Sequence, residues 1–166
     1  VVKKDANEDE LLDLIERFSN RDIAVRFIEF MDVGTTNGWA MEDVVTAAEI
    51  REMLDEIQPL PPTKTGEVAK RYKLPNGGEV GLITSVTEPF CGDCSRARLS
   101  ADGHLYTCLF ASQGLDLMTP LRMGASDADI LALIEEYWSH REDRYSEIRS
   151  EETSVHPRVE MSFIGG

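Results

Sequence analysis

The stretch from Pro89 to Cys108 constrains this chain more than any other, because it carries all three cysteines, in the spacing C-x2-C-x13-C. The thiolates of Cys91 and Cys94 can converge on one metal if the chain turns round it, and a third thiolate must then be carried back to the same place. Asp102-Gly103, flanked by Arg98-Leu99 and Leu105-Tyr106, signals that return as a β-hairpin. Its register matters. A two-residue turn at Asp102-Gly103 would set Ala101 opposite His104 and Cys108 opposite Ala97. A three-residue loop Ala101-Asp102-Gly103, with Gly103 left-handed, would instead pair Arg96 with Cys108 and Arg98 with Tyr106. We expect the second. It stands two guanidiniums beside a cysteine-held metal, where they suit an anionic or planar polar ligand.

Three thiolates are one ligand short of a closed site. His104 would complete C-x2-C-x9-H-x3-C and make a structural zinc site. With that place left open, an iron–sulfur cluster would keep one iron for substrate. A histidine beside a turn is otherwise a solvated hairpin residue. A metal-free CxxC would be a redox dithiol, but the strand-CxxC-helix context of that chemistry is absent.

Net charge narrows the partners. At −14, the surface would repel a phosphate backbone over most of its area, which argues against nucleic acid. A single nucleotide is a different matter, since a few local donors such as Arg96 and Arg98 can capture it on an acidic protein. The 42% hydrophobic and 29% charged residues match ordinary globular composition. No apolar run approaches a membrane span, and no signal-peptide pattern is visible. An odd number of cysteines in a metal-like spacing implies a reducing compartment, so a cytoplasmic setting is expected.

Phe90-Cys91-Gly92-Asp93-Cys94-Ser95-Arg96-Ala97-Arg98-Leu99, then Ala101-Asp102-Gly103, then Cys108-Leu109-Phe110, resembles the C-terminal cluster motif of the molybdenum cofactor biosynthesis protein A family. Two further blocks agree: Val25-Arg26-Phe27-Ile28-Glu29-Phe30-Met31 with Gly34 and Asn37-Gly38-Trp39, and the closing Met161-Ser162-Phe163-Ile164-Gly165-Gly166. Members of that family are radical S-adenosylmethionine enzymes, with a first [4Fe–4S] cluster on a C-x3-C-x2-C triplet near the N-terminus. No such triplet occurs here, and Val1-Val2-Lys3-Lys4 has no initiator methionine. The expectation is therefore the C-terminal half of a longer chain, inactive by itself.

The resemblance implies a set of roles. Cys91, Cys94 and Cys108 would hold a second [4Fe–4S] cluster whose open iron meets the guanine of GTP, and Arg96, Ala97 and Arg98 would grip the nucleotide. Met31 would lie against S-adenosylmethionine, and Arg26 would face the shared cavity. Gly165 and Gly166 would thread into the active site and be needed for the radical step. The implied activity is that of a GTP 3′,8-cyclase lyase, giving 3′,8-cyclo-7,8-dihydro-GTP in molybdopterin synthesis. Its implied partners are the missing N-terminal half, a downstream cyclic pyranopterin monophosphate synthase and a second copy in a homodimer. The competing readings are a zinc-binding interaction module and a cluster that only relays electrons.

Taken in order, the chain reads as α/β with α+β character: the remnant of an incomplete αβ barrel at 1–60, then a C-terminal antiparallel-sheet cluster domain with helices at 61–166. Asn7 and Glu10 suggest a capping box ahead of a helix with Leu11, Leu12, Ile15 and Phe18 on one stripe. The apolar run Ile23 to Met31 suggests a buried parallel strand, in which Arg26 and Glu29 must find partners or a polar site. The loop Gly34 to Gly38 follows at the strand's C-terminal end, where α/β ligand sites gather.

A second capping box at Thr46 and Glu49 opens a helix that should carry Ile50, Met53, Leu54 and Ile57 inward and stop at Pro59, Pro61 and Pro62. Val68 to Leu74 and Glu79 to Ser85 flank Pro75-Asn76-Gly77-Gly78, a hairpin pattern whose basic Lys70, Arg71 and Lys73 suggest edge protection. Ser126 and Asp129 cap a helix expected to turn Ile130, Leu131, Leu133, Ile134, Tyr137 and Trp138 inward. Arg141 to Pro157 is charged and aperiodic. His140 and His156, without metal-spaced companions, read as surface residues.

Overall fold

β1 (Val25–Ile28) forms within the apolar run and finds its parallel partner in β4 (Glu79–Ile83), with Val25 opposite Val80 and Phe27 opposite Leu82. The computed structural model describes residues 1–148 and 158–164. They form two compact units: Val1–Met31 with Trp39–Cys94, and Asp32–Gly38 with the residues from Ser95 onward. The mixed α/β character expected from sequence is present as a four-stranded mixed sheet in the first unit and a three-stranded antiparallel sheet in the second. Among the described residues there is no closed barrel, and no helix is long and apolar enough to cross a membrane.

In the first unit the strand order is β1-β4-β3-β2, where β2 is Gln58–Leu60 and β3 is Lys70–Lys73. The β3–β4 hairpin closes through Leu74 N–H to Gly78 O at 2.9 Å and Gly78 N–H to the Asn76 side chain at 3.0 Å. Strands from both sides of Pro61 thus share one sheet, so the strand around Phe27 has β4 beside it and a single bridge from Glu29 to Val2 on its other side. Pro59 lies within β2, opposite Tyr72; an edge strand tolerates a residue with no N–H to give.

The core of this unit gathers Val2, Leu11, Ile15, Phe27, Val45, Ile50, Leu54, Val80 and Leu82. α1 (Leu11–Phe18) buries Leu11 and Ile15 but leaves Leu12 exposed, a narrower stripe than expected. Asn7 makes no side-chain cap; its carboxamide accepts from Lys3 N–H at 2.9 Å and donates to Val1 O. α2 (Ala47–Met53) does have its capping box, with Glu49 N–H on Thr46 Oγ1 at 3.2 Å and Thr46 N–H on Glu49 Oε2 at 2.7 Å. It ends at Met53, which is exposed, well before the prolines expected to stop it. β3 is an inner strand, so its basic residues do not guard an edge: Arg71 pairs with Glu79 on β4, and Lys70 with Glu88.

The second unit is built on β5 (Arg98–Leu99), β6 (His104–Tyr106) and β7 (Leu115–Asp116). α3 (Met118–Arg122), α4 (Asp127–Ser139) and α5 (Tyr145–Ile148) complete it. Ser126 and Asp129 cap α4 reciprocally, as expected. Its apolar residues do not turn fully inward, however: none is buried, Leu131 and Trp138 are exposed, and Arg141 stacks on Trp138 at 5.0 Å. The charged segment expected to be irregular contains α5, whose Tyr145 ring stacks on Phe110 at 4.6 Å.

Candidate functional site

Cys91 and Cys94 sit at either end of a single 3-10 turn in the first unit, with Cys94 N–H donating to Cys91 O at 3.2 Å. Both are half-buried. The chain reaches this turn through Thr84 to Glu88, and that approach is firmly held. Glu29, 1% exposed at the end of the β1 run, accepts from Ala47 N–H at 2.9 Å, Val86 N–H at 2.8 Å and Thr87 N–H at 2.9 Å, and also from the Thr87 hydroxyl. A buried carboxylate is tolerable only when so satisfied. Farther along, Glu88 joins Arg51, at 3.0 Å, to Lys70. The Lys70 ammonium, and Arg51 after it, hold the Glu88 carboxyl below its ordinary range.

The third cysteine belongs to the second unit. There the hairpin adopts the register expected from the three-residue loop: Arg98 opposite Tyr106 and Leu99 opposite Leu105. Gly103 has φ +84°, closing the loop by Gly103 N–H to Ser100 O and Ser100 N–H to His104 O, each at 3.0 Å. A Cβ there would also stand 2.9 Å from Met118 Cβ, so glycine is required twice over. Cys108 follows β6, half-buried, and its sulfur accepts the Phe110 N–H at 3.4 Å. Arg98 is half-buried on β5, while Arg96 and Ala97 are exposed just ahead of it, outside the ladder.

His104 is engaged at the turn, where its Nδ1 lies 3.2 Å from Asp102 Oδ2. The Ser100 hydroxyl, and after it His104, hold the Asp102 carboxyl below its ordinary range.

The remaining expected residues are dispersed. Arg26 is exposed on β1, its stem beside Gly81, and Met31 is half-buried just beyond the strand. His140 is exposed, as expected. Gly165, Gly166 and His156 lie outside the described residues.

The structure brings together a group that the sequence did not single out. In the second unit Asp32 and Arg158, 3% and 4% exposed at their side chains, form an ion pair at 2.9 Å, and the Tyr145 hydroxyl donates to the same carboxylate at 2.6 Å. The only signal for Asp32 was a charge directly after an apolar run. Arg158 showed none, because its partner lies far away in sequence.

As donors, the cysteines suit an iron–sulfur centre: all are half-buried thiols, and one already receives the kind of backbone N–H that tunes cluster sulfurs. They are divided between the units, two in the first and one in the second. Among the described residues, no three His, Cys, Asp or Glu side chains stand grouped as a metal site.

Residues 23–147 match the family model described as Molybdenum Cofactor Synthesis C, so the chain belongs to that family. Among curated proteins it is similar to the GTP 3',8-cyclase of Xanthomonas campestris pv. campestris (strain B100), at 51% identity over 170 residues. That alignment takes in 100% of this chain and 50% of the relative. The GTP 3',8-cyclases of Xanthomonas axonopodis pv. citri (strain 306) and Staphylococcus haemolyticus (strain JCSC1435) are 49% and 42% identical, again over 100% of this chain and 50% and 51% of theirs. The chain spans about half the length of the curated relatives it matches.

Proposed function

We propose that this chain supplies the substrate side of a GTP 3′,8-cyclase, with residues 1–60 completing a radical S-adenosylmethionine barrel and residues 61–166 forming the cluster and GTP domain. The observation that carries the reading is the hairpin register, which sets Arg98 opposite Tyr106, two residues before Cys108. The family match and the cyclase relatives support it.

Cys91, Cys94 and Cys108 would hold a [4Fe–4S] cluster, which when bound offers an iron not ligated by protein to a purine base. Arg96 and Arg98, with Ala97 between them, bind the anionic nucleotide through charge-assisted hydrogen bonds. Glu29 and Glu88 keep the approach to Cys91 rigid, and the Gly103 turn sets the course of the strand that leads to Cys108. Orientation is what these residues contribute: ribose C3′ must meet guanine C8 within bonding reach for the ring to close. Met31 and Arg26 face the S-adenosylmethionine side, and Gly165 with Gly166 acts at the reacting nucleotide. The other half of the enzyme generates the radical, so this chain alone neither cleaves S-adenosylmethionine nor turns over GTP.

Anaerobic reconstitution tests this directly. The expected result is about four irons with sulfide per chain, abolished by Cys108→Ser and untouched by His104→Ala. One tightly held zinc, lost in His104→Ala, would overturn the reading in favour of the zinc module. A cluster that forms but shows no spectral response to GTP would leave only electron relay.

A further inference from the structure

Segment 141–145 grips the chain on both sides of Cys108, within the second unit. Ahead of the cysteine, Thr107, 4% exposed, donates its hydroxyl to Asp143 Oδ2. Arg141 neutralises that carboxylate, its Nε 3.2 Å from the same oxygen while its guanidinium stacks on Trp138. Beyond the cysteine, the Phe110 ring, 8% exposed, stacks on Tyr145 with centroids 4.6 Å apart and planes at 26°. Tyr145 is held in turn, since its hydroxyl donates to Asp32 at 2.6 Å and the Arg158 guanidinium lies 5.0 Å from its ring.

Glu142 and Arg144, which alternate with these residues, are exposed. A charged segment that served only as a solvated linker would need no such division between residues in solvent and residues on the cysteine loop.

Cys108 has already left β6 and lies in a bend, so no strand ladder sets its position. The loop folds back on the cysteine instead: Ala111 N–H donates to Cys108 O at 3.3 Å, and Phe110 N–H to its sulfur at 3.4 Å. The second bond depends on where the Phe110 backbone sits, and that backbone carries the ring stacked on Tyr145. One contact would let the loop swing about its other end. Contacts at 107 and 110 fix both ends of the four residues that contain the sulfur. A backbone N–H on a cluster sulfur favours the reduced, more negative cluster, so whatever fixes the N–H also fixes the sulfur's strength as a donor.

We propose that Asp143 and Tyr145 are positioning residues for Cys108: they hold Thr107 and Phe110 so that the Phe110 N–H stays on the sulfur, and thereby tune the third cluster ligand. The tuning rests on the cluster reading above; the bracket does not.

The test therefore has two readouts. In this chain without iron, hydrogen exchange of the Phe110 amide should quicken at least about tenfold in Thr107→Val, Asp143→Ala and Tyr145→Leu. It should stay within about threefold of wild type in Thr107→Ser, Asp143→Asn and Tyr145→Phe, which keep the hydroxyl, the acceptor oxygen and the ring. The double variant Thr107→Val/Asp143→Ala should exchange within about twofold of either single, because both remove the same contact. Unchanged exchange in the first three variants, or additive effects in the double, would overturn the bracket. So would loss of protection throughout the second unit in all of them, since that would show a role in folding alone.

After anaerobic reconstitution, Thr107→Val and Tyr145→Leu, which alter no charge, should lower the cluster's reduction potential and release iron to a chelator at least about tenfold faster. Thr107→Ser and Tyr145→Phe should restore both. Quickened exchange with unchanged potential and release would overturn the tuning and leave the bracket. Absence of any cluster in the wild-type chain would overturn the tuning together with the cluster reading, while the exchange results would stand.

Discussion

The carboxylate of Glu29 accepts the backbone N–H of Val86 at 2.8 Å across 57 residues of sequence, tying the end of β1 to the segment that leads into Cys91. The same carboxylate takes the first N–H of α2 from Ala47, so strand, helix and cysteine approach meet on one side chain. Removing it would leave several buried donors unsatisfied. Glu29→Ala should cost about 3 kcal/mol or more in urea unfolding, since hydrogen bonds to a charged group are worth about 1.5–3 kcal/mol each and stranded donors add their desolvation. Glu29→Gln, which retains one acceptor oxygen, should fall between the two.

The hairpin depends on Gly103. Gly103→Ala places a side chain at φ +84° and 2.9 Å from Met118 Cβ, combining left-handed strain with overpacking. A loss of about 2 kcal/mol is expected in denaturant titration. Reconstituted iron should fall with it, because the turn aims the strand that leads to Cys108. Leu99→Ala, at a position 61% exposed on the same hairpin, is the control and should change neither quantity.

Arg98 and Arg96 should separate by place. Arg98 is half-buried in the β5–β6 ladder, whereas Arg96 is exposed ahead of it. Arg98→Ala should weaken GTP binding to the reconstituted chain by about tenfold or more, with iron content unchanged, and Arg98→Lys should recover only part because a point charge cannot make a bidentate contact. Binding by titration calorimetry that survives loss of both arginines would remove their substrate role.

Glu88 predicts an acid limb. Lys70, and then Arg51, hold its folded carboxyl below the ordinary range, so the folded state prefers it ionised more strongly than the unfolded chain does. The stability it contributes is fully present above the ordinary glutamate value, about 4.3, and is lost as pH falls through the lowered folded value. Glu88→Gln should therefore flatten the decline of stability below about pH 4.3, with little change at neutral pH beyond the loss of the ion pairs. An acid limb identical to wild type would show the bridge to be thermodynamically silent.

Much of the local structure was legible in the residues themselves. The caps at Thr46–Glu49 and Ser126–Asp129, the turns at Asn76-Gly77 and Asp102-Gly103, and the register of Arg98 against Tyr106 all depend on neighbours a few positions away. Periodicity misled where burial depends on what packs opposite: Leu12, Met53, Leu131 and Trp138 are exposed though their spacing pointed inward. The Asn7 cap failed because its carboxamide found backbone partners at Lys3 and Val1 instead.

By itself, then, the sequence determined the spacing of Cys91, Cys94 and Cys108, the turn that sends the chain toward the last of them, and the register of Arg98 on the strand before that turn, since covalent spacing and turn chemistry act over a few bonds. Only the tertiary structure decided that β1 pairs with β4, that Glu29 holds the approach to Cys91, and that Arg158 and Glu160 settle on Asp32 and Thr35. Those contacts join residues 55 to 126 positions apart. At such separations the partner is chosen by which surfaces the whole chain buries together, and no local pattern encodes that choice.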